Sequence, residues 1–322
     1  MSEKYRDITL DPLTQRYLDM LCHERKLSPH TLAAYRRDLV QLQSLATHTP
    51  LLTLSQHQIR LFTTQLHSKG LAPPSIARIL STWRGFYTWL GEQNTTLPIN
   101  PVIGIRAPRH TKRLPKALSV EHAVALAEHI EIGIAGVRDH AICELFYSSG
   151  LRLSELVQLD WRYFSLDGYQ SRGWLDLESK QVTILGKGNK QRTVPVGSRA
   201  CIALYDWLKV RPQISKHAPD PYAPFLSPRG GRIHHHMVYL RIKALARAAG
   251  IPADVHPHVL RHSFASHILQ SSGDLRAVQD LLGHASIVST QIYTALDFQH
   301  LSHVYDAAHP RAHRKTSSKK KI

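Results

Sequence analysis

Six side chains spread over the second half of the chain have types that together suit one reaction: Arg152, Lys187, His258, Arg261, His284 and Tyr293. Two arginines can each hold a phosphate bidentately and offset the charge of a pentavalent phosphorane. Histidines beside that phosphate can move a proton or donate a hydrogen bond near neutral pH. A lysine in the turn Gly186-Lys187-Gly188 can reach a leaving oxygen and protonate it. Tyrosine suits reversible phosphoryl transfer, because a phenol of pKa about 10 leaves more readily than an alcohol and a sugar hydroxyl can later displace it. That chemistry needs neither metal nor ATP, and the expectation is an enzyme without a cofactor.

Taken one at a time, these residues have plainer readings. Arg152, after a glycine turn, fits a solvated arginine at a helix start, and Lys187 an exposed hairpin tip. His258 and His262, four apart on a helix, fit half a zinc site, but without a third partner the pair is a weak metal signal. His284 fits a helix cap and Tyr293 an interfacial core residue. His234, His235 and His236 cannot all face one ion from a regular helix or strand, and no Cys or carboxylate set completes a metal site. The Gly-Lys-Gly turn lacks the spacing of a Walker loop, so nucleotide use is not indicated. Only the set, in its order, converges on one reaction.

The charge of the whole chain points the same way. The 322 residues carry 41 Lys+Arg against 24 Asp+Glu, a formal charge of +17, with 22 histidines besides. Such a balance favours polyanion partners, and neutralising phosphates with release of counterions makes nucleic acid the leading one. The excess is divided, +5 over residues 1–108 and +12 over 109–322. A hydrophobic content of 43% excludes a mainly disordered chain, and no apolar run reaches the ~18 residues of a membrane span. The N-terminal MSEKYRDITLDPL has no apolar core like that of a secretory signal. Three scattered cysteines, Cys22, Cys143 and Cys201, suit a reducing cytoplasm better than a disulfide scaffold.

The elements that must position these groups follow from periodicity and capping. Helices are predicted over 14–26, 29–47, 56–69 and 75–91, started by Ser28-Pro29, Ser55 and Pro73-Pro74-Ser75. Trp83, Phe86 and Trp89 could stack on bases, but their spacing fits the core of a four-helix bundle better. Residues 94–116 hold four prolines and five bases with no acid, the composition of an extended linker. Beyond it helices are predicted over 119–130 and 136–149, then strands at 174–177, 182–185 and 192–196. Further helices follow over 198–210, 233–249, 259–271, 275–282 and 288–296. Asp167–Gly173 and Arg211–Pro224 read as surface loop growth. The tail from Arg311 to Lys321, with six bases and no acid, reads as disordered. The predicted fold is mainly α, with one small antiparallel β-sheet in its second half.

The order Arg152, Lys187, His258-Val259-Leu260-Arg261, His284 and Tyr293 resembles the signature of the tyrosine recombinases, the lambda-integrase family. The spacings, 23 residues from Arg261 to His284 and nine to Tyr293, are typical of it. The stretches 296–301 and 304–312 are similar to the branch that resolves bacterial chromosome dimers together with a sister recombinase. The resemblance implies an N-terminal four-helix (SAM-like) core-binding domain over residues 1–93 and a basic linker over 94–116. It implies a catalytic domain over 117–309 ending in an exchange helix that docks on a neighbouring protomer, and a basic tail over 310–322. The two lobes would clamp duplex DNA, with helices from both entering the major groove; candidates are the second and fourth helices and helix 233–249 with His235, Arg241 and Lys243.

By the same resemblance Arg152 and Arg261 clamp the scissile phosphate and Lys187 protonates the leaving 5′ oxygen. His258 assists proton transfer at the tyrosine, His284 binds a non-bridging oxygen, and Tyr293 is the nucleophile. Glu155 matches an acid that orients the first arginine, although an exposed helix glutamate would look the same. Implied partners are a double-stranded DNA recombination site, a sister recombinase in a cyclic heterotetramer and a cell-division DNA translocase as regulator, with no membrane. The sister recombinase itself or a mobile-element integrase shares this chemistry; a type IB topoisomerase would relax supercoils without a defined site. A non-catalytic DNA-binding protein would not need the full set.

Overall fold

The computed structural model describes residues 10–47, 49–93, 99–109, 117–185, 191–214, 219–252, 254–282 and 304–310. They divide into two compact units, Met1–Arg113 and Leu114–Ile322.

The first unit contains α1 (Pro12–His23), α2 (Pro29–Ala46), α3 (Gln56–Ser68) and α4 (Pro73–Gln93). Local chemistry sets where they begin. Asp11 accepts from the Leu13 amide and Ser28 from the Thr31 amide, each just ahead of a proline at the first helical position. Ser55 and Gln58 cap α3 reciprocally. Trp83 and Phe86 are wholly buried and Trp89 nearly so, which makes them bundle core. Asp38 of α2 is buried against α4, where it accepts from Arg78 and from the Thr82 hydroxyl at 2.8 Å, while its carbonyl accepts from the Trp83 indole at 2.8 Å.

The Pro-rich segment expected to be an open linker is partly absorbed into this unit. Val102 and Ile105 join its core, Gln56 donates to the Ile103 carbonyl, and Arg84 donates to that of Ile105. Apolar residues between the prolines explain this: burying each one removes more free energy from water than an extended tether would gain.

The second unit is organised around α6 (Ile134–Ser149), which follows α5 (Val120–Glu128). Nearly every side of α6 is buried, so its polar residues all need partners. Arg138 donates to the Leu226 carbonyl at 2.9 Å and pairs with Asp139. The Ser149 hydroxyl donates to the Pro195 carbonyl at 2.9 Å, and Ser148 accepts from the Gly197 amide at 2.7 Å. A short α7 (Leu153–Val157) follows the turn at Gly150, where the sequence suggested a helix start at Arg152 without giving its extent.

Two antiparallel sheets lie beyond it. The hairpin β1 (Ser165–Leu166) and β2 (Tyr169–Gln170) is small, and β3 (Gly173–Asp176), β4 (Gln181–Leu185) and β5 (Gln191–Pro195) form a meander. Val182 pairs with both Leu175 and Val194, so one face of the meander is apolar apart from Arg192, which pairs with Ile184. Helices α8 (Ser198–Val210), α9 (His235–Ala248), α10 (Pro257–Ser272) and α11 (Leu275–Leu282) complete the described core. The predicted helix over 288–296 lies outside the described residues.

The two segments read as loop growth are not independent. Tyr169 stacks on Tyr222 at 4.1 Å, and both Tyr169 and Ser171 donate to buried Asp160, which also pairs with Arg232. The described parts of the two segments form one structured corner.

Residues 304–308 are helical and dock on α6 of their own chain. The Tyr305 hydroxyl bonds Ser148 at 2.8 Å, and His309 donates to the Tyr147 carbonyl at 2.8 Å with its ring stacked on Tyr305. Burial first of all lowers the His309 pKa to about 4, so the docked imidazole is neutral.

Candidate active site

Gly150 ends α6 in the left-handed region, at φ +56°. This turn frees the chain to place Arg152 at the start of α7. Glu155, three residues on, reaches back and accepts from the Arg152 amide at 2.7 Å and from its guanidinium Nη1 at 2.8 Å. One carboxylate thus holds both the backbone and the side chain of Arg152. The Arg152 side chain keeps 38% of its surface exposed and is the accessible cation of the group.

Arg261 comes from the other side, on the first turns of α10. Pro257 at N1 and His256 as N-cap start that helix, and Gly273 in the left-handed region ends it. Arg261 donates to the Gly150 carbonyl at 2.5 Å and to the Leu282 carbonyl at 2.6 Å, and its Nη1 lies 4.0 Å from Glu155. Two arginines 109 positions apart in sequence therefore border one carboxylate. Burial, then repulsion by Arg152, lowers the Arg261 pKa to about 10, which leaves it charged at neutral pH. His258, one turn earlier on α10, is exposed. Lys187, His284 and Tyr293 lie outside the described residues. Two of them adjoin described segments: Lys187 between β4 and β5, and His284 two residues beyond Leu282, whose carbonyl Arg261 holds.

A third arginine completes the group and was not singled out from the sequence. Arg192 of β5 donates Nη1 to Glu155 Oε1 at 2.9 Å and Nη2 to Oε2 at 2.8 Å. Burial opposes the charge on Glu155, but Arg192 first and then Arg152 outweigh it and hold its pKa down to about 2. The sequence did carry a signal. Strand alternation puts Arg192 on the same inward face as Val194, and an arginine on a core face requires a buried carboxylate.

The candidates for reading bases fare unequally. Arg241 of α9 pairs with Asp139 of α6 at 2.5 Å and with Glu131, so it is committed to the unit's own ion network. Lys243 pairs with Asp254 at 2.8 Å and lies over the Tyr239 ring. His235 is exposed, as are Arg36 and Arg37 on α2. His234 caps α9, accepting from the His236 amide. Among the described residues no helix is long and apolar enough to cross a membrane.

Comparison with known proteins adds independent support. Residues 116–300 match the phage integrase family, and residues 14–94 match the N-terminal SAM-like domain of phage integrases. The chain is 59% identical over 320 residues to tyrosine recombinase XerC 1 of Ralstonia nicotianae, covering 96% of this chain and 97% of that protein. It is 48% identical over 315 residues to tyrosine recombinase XerC of Xanthomonas campestris pv. campestris, covering 97% and 92%. The fold is similar to that of XerH site-specific recombinase bound to a palindromic difH substrate, with a TM-score of 0.63, 22% identity and coverage of 90% and 84%.

Proposed function

The chain belongs to the phage integrase family of tyrosine recombinases, and from that premise we propose that it is a XerC-type enzyme that resolves chromosome dimers at a specific DNA site. The observation that carries the reading is the joint approach of Arg152 and Arg261 to Glu155. With Arg192 on the same carboxylate, three guanidiniums against one negative charge leave a net positive patch, suited to a scissile phosphate that gains charge in its pentavalent transition state.

In this reading Arg152 and Arg261 hold the two non-bridging oxygens. The Tyr293 hydroxyl attacks phosphorus, its proton passing toward His258. The bond from phosphorus to the 5′ oxygen breaks, and Lys187 supplies the proton that this oxygen takes up. His284 donates to a non-bridging oxygen. A 3′-phosphotyrosyl link and a free 5′ hydroxyl result, and a 5′ hydroxyl from the partner duplex reverses the step. The phosphodiester energy is kept in the phenol ester, so no ATP is consumed.

The partners of this reading are a double-stranded recombination site and a XerD-type recombinase in a cyclic heterotetramer, with a cell-division DNA translocase as regulator. Residues 304–309 would leave their seat on α6 to dock on a neighbouring protomer, coupling the active sites. The first unit would grip DNA through α2 and α4.

The test is trapping on a nicked suicide site. Wild type should give a covalent 3′ adduct in the presence of a chelator and without ATP, and Tyr293→Phe should give none. An adduct that persists in Tyr293→Phe refutes the assignment.

A further inference from the structure

We propose that Arg192 is a positioning residue for strand cleavage: it fixes the Glu155 carboxylate, and through it the guanidinium of Arg152, in the geometry that receives the phosphate. The inference rests on the recombinase reading above and adds to it a residue outside the six-residue signature.

The hydrogen-bond arithmetic at Glu155 carries the argument. A carboxylate offers about four lone-pair sites. At Oε1 one is taken by Arg152 Nη1 at 2.8 Å and one by Arg192 Nη1 at 2.9 Å. At Oε2 one is taken by the Arg152 amide at 2.7 Å and one by Arg192 Nη2 at 2.8 Å. Arg152 and Arg192 thus share both oxygens equally, and the planar fork of Arg192 fixes the plane of the carboxylate that Arg152 reads. Without Arg192 each oxygen would keep a single donor, and the carboxylate could rotate about its last torsion.

Hydrogen bonding separates the roles. Both terminal nitrogens of Arg192 are spent on Glu155, at 2.9 and 2.8 Å, and its side chain is 7% exposed against 38% for Arg152, so Arg192 acts on the carboxylate rather than as the phosphate ligand. A buried guanidinium costs several kcal/mol of desolvation. Its placement among two further arginines, with only one carboxylate between them, makes that cost higher. A site built for stability alone would use an apolar side chain at this inward register position. Arg192 also lies on β5, paired with Ile184 of β4, so it ties the meander to the start of α7. The chain joining those two strands carries Lys187.

The test measures single-turnover adduct formation at saturating nicked DNA, DNA affinity and melting temperature for wild type, R192K, R192Q, E155Q and R192Q/E155Q. Displacing a clamp by a fraction of an ångström should slow cleavage by R192Q about 10- to 100-fold, with affinity changed less than about threefold. R192K, which keeps the charge but loses the fork, should recover part of the rate. Because Arg192 acts through Glu155, the double variant should be no more than about threefold slower than the slower single variant.

A folded R192Q that cleaves at the wild-type rate overturns the proposal. So does a rate loss matched by an equal loss of affinity, or full multiplicativity in the double variant. If R192Q does not fold, R192K decides: slowed cleavage with native melting supports the proposal, and an unchanged rate overturns it. A wild-type protein that forms no Tyr293-dependent adduct fails the recombinase reading itself, whereas R192Q matching a Tyr293-dependent wild type fails this inference alone.

Discussion

Arg261 donates to the carbonyl of Gly150 at 2.5 Å, so the arginine that would hold one phosphate oxygen is fastened to the turn that positions the other arginine. The same turn has no room for a side chain. A Cβ on Gly150 would lie 2.3 Å from the Phe264 ring, and φ of +56° disfavours any L side chain besides.

Gly150→Ala should therefore lose about 3 kcal/mol of stability, combining left-handed strain with overpacking. Urea unfolding checks this. The folded fraction should also cleave more slowly, because the clash displaces Phe264 one turn beyond Arg261 on α10. A variant with wild-type stability and cleavage rate would show that the turn is not constrained as described.

The Glu155 carboxyl titrates near 2 in the folded chain against an ordinary 4.5. Its folded pKa is depressed, so its contribution to stability is complete above 4.5 and is lost as pH falls toward 2. Glu155→Gln has nothing to titrate there. The stability gap between wild type and Glu155→Gln should shrink steadily over that window, as followed by melting temperature against pH. A gap independent of pH would contradict the buried three-arginine environment.

His309 is neutral where it docks, with a pKa of about 4 against 6.5 when free. A depressed histidine contributes its full stability above 6.5 and loses it as pH falls toward 4. The groups around it are Tyr147, Phe264, Tyr305 and His267, none of them an anion that could compensate. The melting temperature of wild type relative to His309→Gln should fall as pH drops through this range, and a constant difference would refute the cis seat of residues 304–309.

Arg241→Ala should destabilise the second unit by about 2 kcal/mol, because Asp139 remains buried with only Arg138 to answer it. Affinity for the recombination site, measured well below the melting temperature, should stay within about threefold of wild type. A large affinity loss at unchanged stability would return Arg241 to the role of a DNA-reading residue.

Local chemistry made much of this chain legible in one dimension. Ser28-Pro29, Ser55-x-x-Gln58 and Ser119 each start a helix where the sequence says they should, because a cap is completed within three or four residues. Helices 198–210 and 275–282 have the limits expected of them. The order and types of Arg152, His258 and Arg261 also required no structure, since reaction chemistry restricts which side chains can serve.

What local chemistry leaves open is the partner of each charged group. Arg192 and Arg241 are both arginines in a basic chain, and on composition alone either could face DNA. Tertiary structure decided otherwise, giving Arg192 to Glu155, 37 positions away, and Arg241 to Asp139, 102 positions away. It also drew Val102 and Ile105 into a core that their proline-rich surroundings did not announce, and joined two apparent loops through Tyr169 and Tyr222. The physical reason is range. Capping and periodicity act within a helical turn, whereas the burial that forces an arginine to find a carboxylate arises only when distant segments exclude water from the same point.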